Sequence, residues 1–304
     1  EFRQIRQFKR LPAIKLDHIE RLTDDFGMLQ FAHFSTPDPE SGYTLDDNAR
    51  AFRAVSLYYE EHKKHLEQDE NKKQKQALLK LITLYFNLME FCAKDDGRFD
   101  NYINIDKTFN ENANTRDSLE DANARALYAI AVAATRAIIP KNIKDRAIVL
   151  LNRSLTKQTP IESPRALAFQ IKALCQLISN KQSIGNIDLT QRLDQCCQTL
   201  IAHYQSNHSS DWDWFEHYLT YANATLSEAL LLSYQITKND TYRAIGKNTL
   251  DFLIKTHFLN DQYVPIGQDG WYQKGGTRSY FDQQPEDVAA MIQTLSACYQ
   301  ITKD

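Results

Sequence analysis

Residues 46–51 read Asp46-Asp47-Asn48-Ala49-Arg50-Ala51, and residues 121–126 read Asp121-Ala122-Asn123-Ala124-Arg125-Ala126. Both contain Asp, one residue, then Asn-Ala-Arg-Ala. A partial third copy, Tyr221-Ala222-Asn223-Ala224-Thr225, follows about a hundred residues later. Each copy opens a segment of helical periodicity. Related helix starts recurring at long intervals mark a repeated helical hairpin, and stacked hairpins bring equivalent helix ends to one place.

Helical periodicity covers about ten segments: 14–25, 45–61, 73–94, 118–138, 141–156, 163–179, 187–206, 219–237, 240–257 and 285–302. They are of two alternating kinds. Segments 122–134, 166–177, 222–234 and 288–299 are small and apolar almost all round, the pattern of a helix buried on every side. Segments 74–94 and 187–204 are amphipathic and more charged. The alternation predicts an all-α (α/α)6-type toroid: inner helices wall a central barrel, outer helices cover them, and the N-terminal helix packs beside the last hairpin. A superhelical repeat array is the alternative. Short β-hairpin or loop insertions are expected before inner helices, at residues 96–103 and at 261–276. With no Pro/Gly/Ser-rich linker, one domain over 14–304 is expected, preceded by an extension, 1–13.

Composition agrees. Nine Gly and eight Pro in 304 residues are too few for a protein built on turns. A net charge of −3 gives no basic footprint for nucleic acid. The charged run 63–75 mixes signs and reads as a solvated face. No apolar run is long enough to span a membrane. The five Cys lack metal-ligand spacing and sit in apolar helical segments, which fits buried thiols in a reducing compartment, so a cytoplasmic location is expected. The eight His form no paired ligand motif. No metal or cofactor is expected.

The inner helices of a toroid run parallel, so their polar first turns emerge on one face. Asp46 and Asp47 open one such helix, Glu120 and Asp121 another, and Glu286 and Asp287 follow Pro285 at a third. Local roles are available to each acid. Thr44 with Asp47, and Ser118 with Asp121, have capping-box spacing. Asp46 with Arg50, and Asp121 with Arg125, are spaced for i,i+4 ion pairs. Convergence on one mouth adds the chemical role, because clustered carboxylates raise one another's pKa and separate into acid and base. Asp47 and Glu120 are the expected acid–base pair, with Asp46, Asp121, Glu216 and Asp287 in reserve. Glycoside hydrolysis needs such a pair, about 6.5–9.5 Å apart for inversion.

Aromatic residues precede inner helices too. Trp212, Trp214 and His217 lie in Asp211-Trp212-Asp213-Trp214-Phe215-Glu216-His217-Tyr218, and Trp271 lies in the late loop. Flat rings beside carboxylates suit sugar rings. Tyr43, Asn48, Arg50, Asn223, Arg278 and Gln284 complete the expected substrate-binding set. The Asn residues have a second available role, bonding local backbone.

Gly42-Tyr43 with Asp46 to Ala51, Leu16-Asp17-His18 with Leu22-Thr23-Asp24, Asp213 to Glu216 with Tyr218 to Tyr221, and Asp282-Gln283-Gln284-Pro285 resemble a poorly characterised bacterial family. Its domains occur beside, or fused to, glycosyltransferase modules, and it is similar to six-hairpin toroid glycosidases and sugar epimerases. The resemblance runs from about residue 14 to the C-terminus. It implies the toroid, an oligosaccharide or polysaccharide ligand, and a glycosyltransferase partner. Two motifs depart from the family pattern: Ala222 and Thr225 stand where the third has Asp and Arg, and Ala124 where the second has Gly. The leading expectation is an inverting, glycoside hydrolase-like enzyme. The alternatives are a non-catalytic glycan-binding module and a sugar epimerase, which wants His on the inner wall and finds only His217 well placed.

Overall fold

The computed structural model describes residues 12–157 and 160–303. The predicted extension therefore lies almost wholly outside the described residues. All ten predicted helices are present: α1 (Asp17–Leu22), α2 (Leu45–Glu61), α4 (Lys72–Phe91), α6 (Glu120–Thr135), α7 (Lys141–Thr156), α8 (Pro164–Ser179), α9 (Leu189–Asn207), α10 (Ala224–Thr237), α11 (Asp240–His257) and α12 (Pro285–Thr302). Two short helices, α3 (Lys63–Leu66) and α5 (Glu111–Arg116), lie in connections.

The fold is the (α/α)6-type toroid. Among the described residues, α2, α6, α8, α10 and α12 pack side by side in that order as the inner wall. Helices α4, α7, α9 and α11 back α2, α6, α8 and α10 respectively. The inner helices are rich in Ala, which lets them approach closely. Ala126, Ala129, Ala131 and Ala133 of α6, and Ala166, Ala168 and Ala173 of α8, are buried. One hydrophobic core runs through all these helices, with Phe52, Phe86, Ile130, Ile171 and Leu230 fully enclosed. Each such side chain contributes about 1.5–3 kcal/mol by leaving water.

Two expectations about the ring's ends are corrected. Helix α1 does not complete the last hairpin. It packs on β2 (Thr36–Thr44), and Thr23 beyond it hydrogen-bonds the Tyr85 hydroxyl of α4 at 2.7 Å. Helix α12 is not buried all round. It packs on α10 and meets α2 through an Arg50–Glu286 ion pair, but Val288, Ile292 and Tyr299 are exposed, as is Leu57 of α2. Among the described residues no outer helix covers α12, so its apolar periodicity does not translate into burial.

Among the described residues seven strands accompany the helices, and they gather before inner helices as expected. Strands β1 (Leu29–His33), β2 and β3 (Tyr102–Ile103) form an antiparallel sheet in that order. The β1–β2 hairpin had no counterpart in the sequence reading, because Pro37 and Pro39 interrupt its alternation. Strand β4 (Tyr218–Leu219) pairs with β7 (Tyr272–Gln273), which ties the Trp-rich segment to the late loop. Strands β5 (Phe258–Leu259) and β6 (Gln262–Tyr263) form the remaining hairpin.

Candidate functional site

The recurring Asn explains how each first turn is set. Asn48 accepts from Met28 N at 2.8 Å and donates to Met28 O at 3.1 Å and Thr44 O at 2.8 Å. Asn123 does the same with Phe99 N and O, both at 2.8 Å, and with Leu119 O. Asn223 holds Thr220 N and O. A primary amide presents a donor and an acceptor in one plane, as a peptide group does, so each Asn clamps a preceding segment onto the helix start. The amides of Asn48 and Asn223 are thereby committed to backbone rather than to a ligand.

The first turns converge, and ion pairs cross the ring between them. Arg50 holds Asp46 at 2.5 Å and Glu286 at 3.2 Å. Arg125 does not pair with Asp121 four residues earlier. It reaches across the mouth to Glu286 at 2.6 Å and lies 3.3 Å from Asp46. The two repeated Arg therefore share one acid from a third helix. A second group adjoins it. Arg165 of α8 lies 3.8 Å from both Asp121 and Glu216 and donates to Tyr221 O and Thr220 Oγ1. Asp121 accepts from Ser163 Oγ at 2.7 Å and from the Tyr221 hydroxyl at 2.9 Å. The Arg165 guanidinium and the Arg125 guanidinium both lie over the Tyr221 ring.

Two carboxyls in this cluster are buried and incompletely paired. Asp287 is 2% exposed; burial, with Glu286 beside it, pushes its pKa up to about 7, against the pull of the Ala222 and Asn223 backbone N–H groups and Arg165. Burial likewise raises Glu216, although Arg165 and the Tyr218 hydroxyl favour its charge. Asp287 Oδ2, Glu216 Oε2 and Arg125 Nη2 are buried without a hydrogen-bond partner among the described residues. Ala222 adopts a left-handed φ of 50°, uncommon for a residue with a Cβ, and it aims these N–H groups at Asp287. Deeper in the barrel, Lys172 and Glu228 pair at 2.5 Å, with the Lys172 ammonium over the Tyr128 and Phe169 rings.

Of the expected acid–base pair, Asp47 adjoins this centre, 3.5 Å from Arg50, whereas Glu120 is turned to the segment entering α8. Asp47 takes the predicted capping role: Thr44 Oγ1 accepts from its N–H at 3.2 Å and donates to its Oδ2 at 2.6 Å. Burial is the largest influence on its pKa, which is raised. Glu120 accepts from the backbone N–H of Glu162 and Ser163, so it caps the segment entering α8. Ser118 and Asp121 do not form a capping box; Leu119 is the N-cap of α6, and Asp121 is turned to Ser163 and Tyr221.

The aromatic expectation divides. Trp212 and Trp214 are 3% and 0% exposed and pack with Phe252, Phe215 and Tyr272, so neither ring offers a face for stacking a sugar. Only Trp271 is partly exposed, its ring 6.2 Å from that of Tyr221. His217 is exposed, beside the β4–β7 pairing. Tyr43 is buried with its hydroxyl on Asp24 at 2.5 Å. Arg278 donates to the carbonyls of Thr256, Val264 and Pro265, fixing the late loop, and Gln284 bonds Gln268. The buried His257 is held neutral, its pKa lowered to about 4 by desolvation, and lies on outer helix α11. Arg165, Lys172 and Glu228 were missed because each stands alone in an apolar run, which gives a sequence reading no cue beyond its cost of burial.

Among the described residues, no group of three or more His, Cys, Asp or Glu is placed to hold a metal, and no helix is long and apolar enough to cross a membrane.

No protein-family model matches the chain, and no curated protein matches it in sequence. Similar solved structures exist. The cellobiose 2-epimerase of Bacillus thermoamylovorans aligns with a TM-score of 0.62 at 14% identity, over 95% of this chain and 80% of that one. The cellobiose 2-epimerase of Spirochaeta thermophila aligns with a TM-score of 0.47 at 10% identity, over 92% of each chain. The Bacillus likeness shows a shared toroid fold; neither structure bears on the expected glycosyltransferase association.

Proposed function

We propose that the protein acts on a sugar held at the mouth of the toroid, moving a proton through Asp287. The observation that carries this is the set of buried, unpartnered polar atoms converging there: donor Arg125 Nη2 and acceptors Asp287 Oδ2 and Glu216 Oε2. A polyhydroxylated ligand supplies both donors and acceptors, and leaving such groups unmet costs about 1–3 kcal/mol each. Trp271 and Tyr221 border the same mouth and offer the flat apolar contact that a sugar ring takes.

Epimerisation beside a carbonyl suits the site better than glycoside hydrolysis. Asp287, with a pKa of about 7, can take a proton at neutral pH from the carbon next to an aldehyde. The electron pair then moves onto the carbonyl oxygen as an enediolate, which the buried guanidiniums Arg125 and Arg165 stabilise. A proton returned to the opposite face of the same carbon completes the reaction, with Glu216, whose pKa burial raises, as the candidate acid; proton exchange with solvent then resets both carboxyls, and no water is consumed. A hydrolase develops positive charge on the sugar, which these cations disfavour. The epimerase names of the similar folds support the same choice. His217, the one His that the sequence placed near the inner wall, is exposed beside the β4–β7 pairing, so the acid–base work is assigned to carboxyls.

The test is incubation of the protein with reducing mono- and disaccharides in D2O. Epimerisation incorporates deuterium at C2 and creates no new reducing ends. New reducing ends without exchange would establish hydrolysis instead. Binding without either would leave a glycan-binding module, the reading that accommodates a glycosyltransferase partner.

A further inference from the structure

We propose a second binding pocket, separate from the mouth, that takes a neutral polyhydroxylated ring of mono- to disaccharide size. It is an open cavity of about 430 Å3 lined by the segment that follows α4 (Lys94 to Asp100), the end of α5, the first two turns of α6, the last turn of α7, Gln170 of α8 and Arg192 of α9. That volume lies within the range of roughly 300–1,000 Å3 typical of ligand pockets. The first turn of α6 stands between the two sites: Glu120 faces this pocket, whereas Asp121 belongs to the mouth.

The ligand's chemistry follows from which wall groups are satisfied. Lys94 is paired with Asp100, Arg98 with Asp96, and Asp117 with Arg116. Glu120 is met by two backbone N–H groups, Arg192 donates to Leu155 O, and Lys157 donates to Asp95 O. Every ionic group of the lining thus has its partner, and nothing selects for a charged ligand. Gln170 differs. It is 9% exposed, its side chain lines the cavity from α8, and its amide has no hydrogen-bond partner among the described residues. An amide that opens into a cavity with its donor and acceptor uncommitted matches a vicinal pair of hydroxyls, each of which both gives and takes. Leu127, Leu155 and Ile161 supply an apolar wall for the C–H face of such a ring.

The inference goes beyond the proposed reaction and does not rest on it. Its test is titration of the intact protein with cellobiose and with glucose, followed by calorimetry and by the Gln170 side-chain NH2 signal in NMR. Binding that shifts this signal is expected, weakened at least 10-fold by Gln170→Leu and by Ser154→Trp, which fills the cavity from α7. Asp287→Asn should leave it unchanged. Two results would overturn the pocket: no binding of either sugar that moves the Gln170 signal, or binding that survives Gln170→Leu and is lost in Asp287→Asn. The latter would leave the mouth reading intact. Unchanged thermal stability of Gln170→Leu shows that a lost signal is not lost folding.

Discussion

Replacing Asp287 by Asn isolates the carboxyl on which the proposed chemistry turns. Asn keeps the shape and still accepts the Ala222 and Asn223 N–H groups, but it cannot ionise. In the native protein this carboxyl titrates near pH 7, against an ordinary value of 3.8. Between those values the folded state holds a proton that the unfolded chain has released. Stability therefore falls as pH rises through the window, and the loss is complete above about pH 7. Roughly three pH units at about 1.4 kcal/mol each amount to about 4 kcal/mol. Little of this is screened, because Asp287 is 2% exposed. Urea unfolding of both proteins at a series of pH values reads it out, and other titrating groups cancel in the difference. The advantage of Asp287→Asn over the native protein should grow by about 1.4 kcal/mol per pH unit from about pH 4 to 7, then level off. Activity should fall by about 10²-fold or more, in proportion to the acid–base step removed. A stability difference that stays flat across this range would refute the reasoning, since Asp287 would then be ionised throughout, as in water.

Four further outcomes are expected. Asn48→Ala should destabilise by about 2–4 kcal/mol, because it strands the backbone groups of Met28 and Thr44, and circular dichroism melts will register it. Trp214→Ala should cost about 3–5 kcal/mol of stability, since the ring is fully enclosed, with sugar affinity of the folded fraction unchanged in calorimetry. Arg125→Met should destabilise through the charge it leaves on Glu286, and a double-mutant cycle with Glu286→Gln should return a coupling of about 1–3 kcal/mol. Glu120→Gln should weaken the cap on the α8 entry by about 1 kcal/mol and leave turnover within about two-fold, whereas Glu216→Gln should lower kcat by about 10²-fold.

The helices were legible because their causes are local. Residues 45–61, 141–156, 240–257 and 285–302 are helical over the predicted spans: apolar spacing, Thr44 and Asn239 as caps, and Pro285 at the first position act within a few residues. The alternation of all-apolar and amphipathic helices pointed to two layers of helices, because burial on every side needs a second layer, and left a toroid and a superhelical array as the two ways to build them. The β1–β2 hairpin was not legible, because its strands are fixed by pairing with each other and with β3 rather than by alternation.

The site divides along the same line. The sequence by itself determined that acids and Arg recur at the inner-helix starts and so meet at one mouth. It could not assign their partners. Within one helix, Asp121 and Arg125 are the obvious pair, and Asp47 and Glu120 are equivalent to any other first-turn acid. Only the tertiary structure decided that Arg125 turns to Glu286, 161 residues away, that Glu120 caps the neighbouring segment, and that Asp287 is the acid left buried beside the Ala222–Asn223 backbone. The physical reason is that a carboxyl's protonation depends on its desolvation and on charges within a few ångströms, and both are set by helices far apart in the chain.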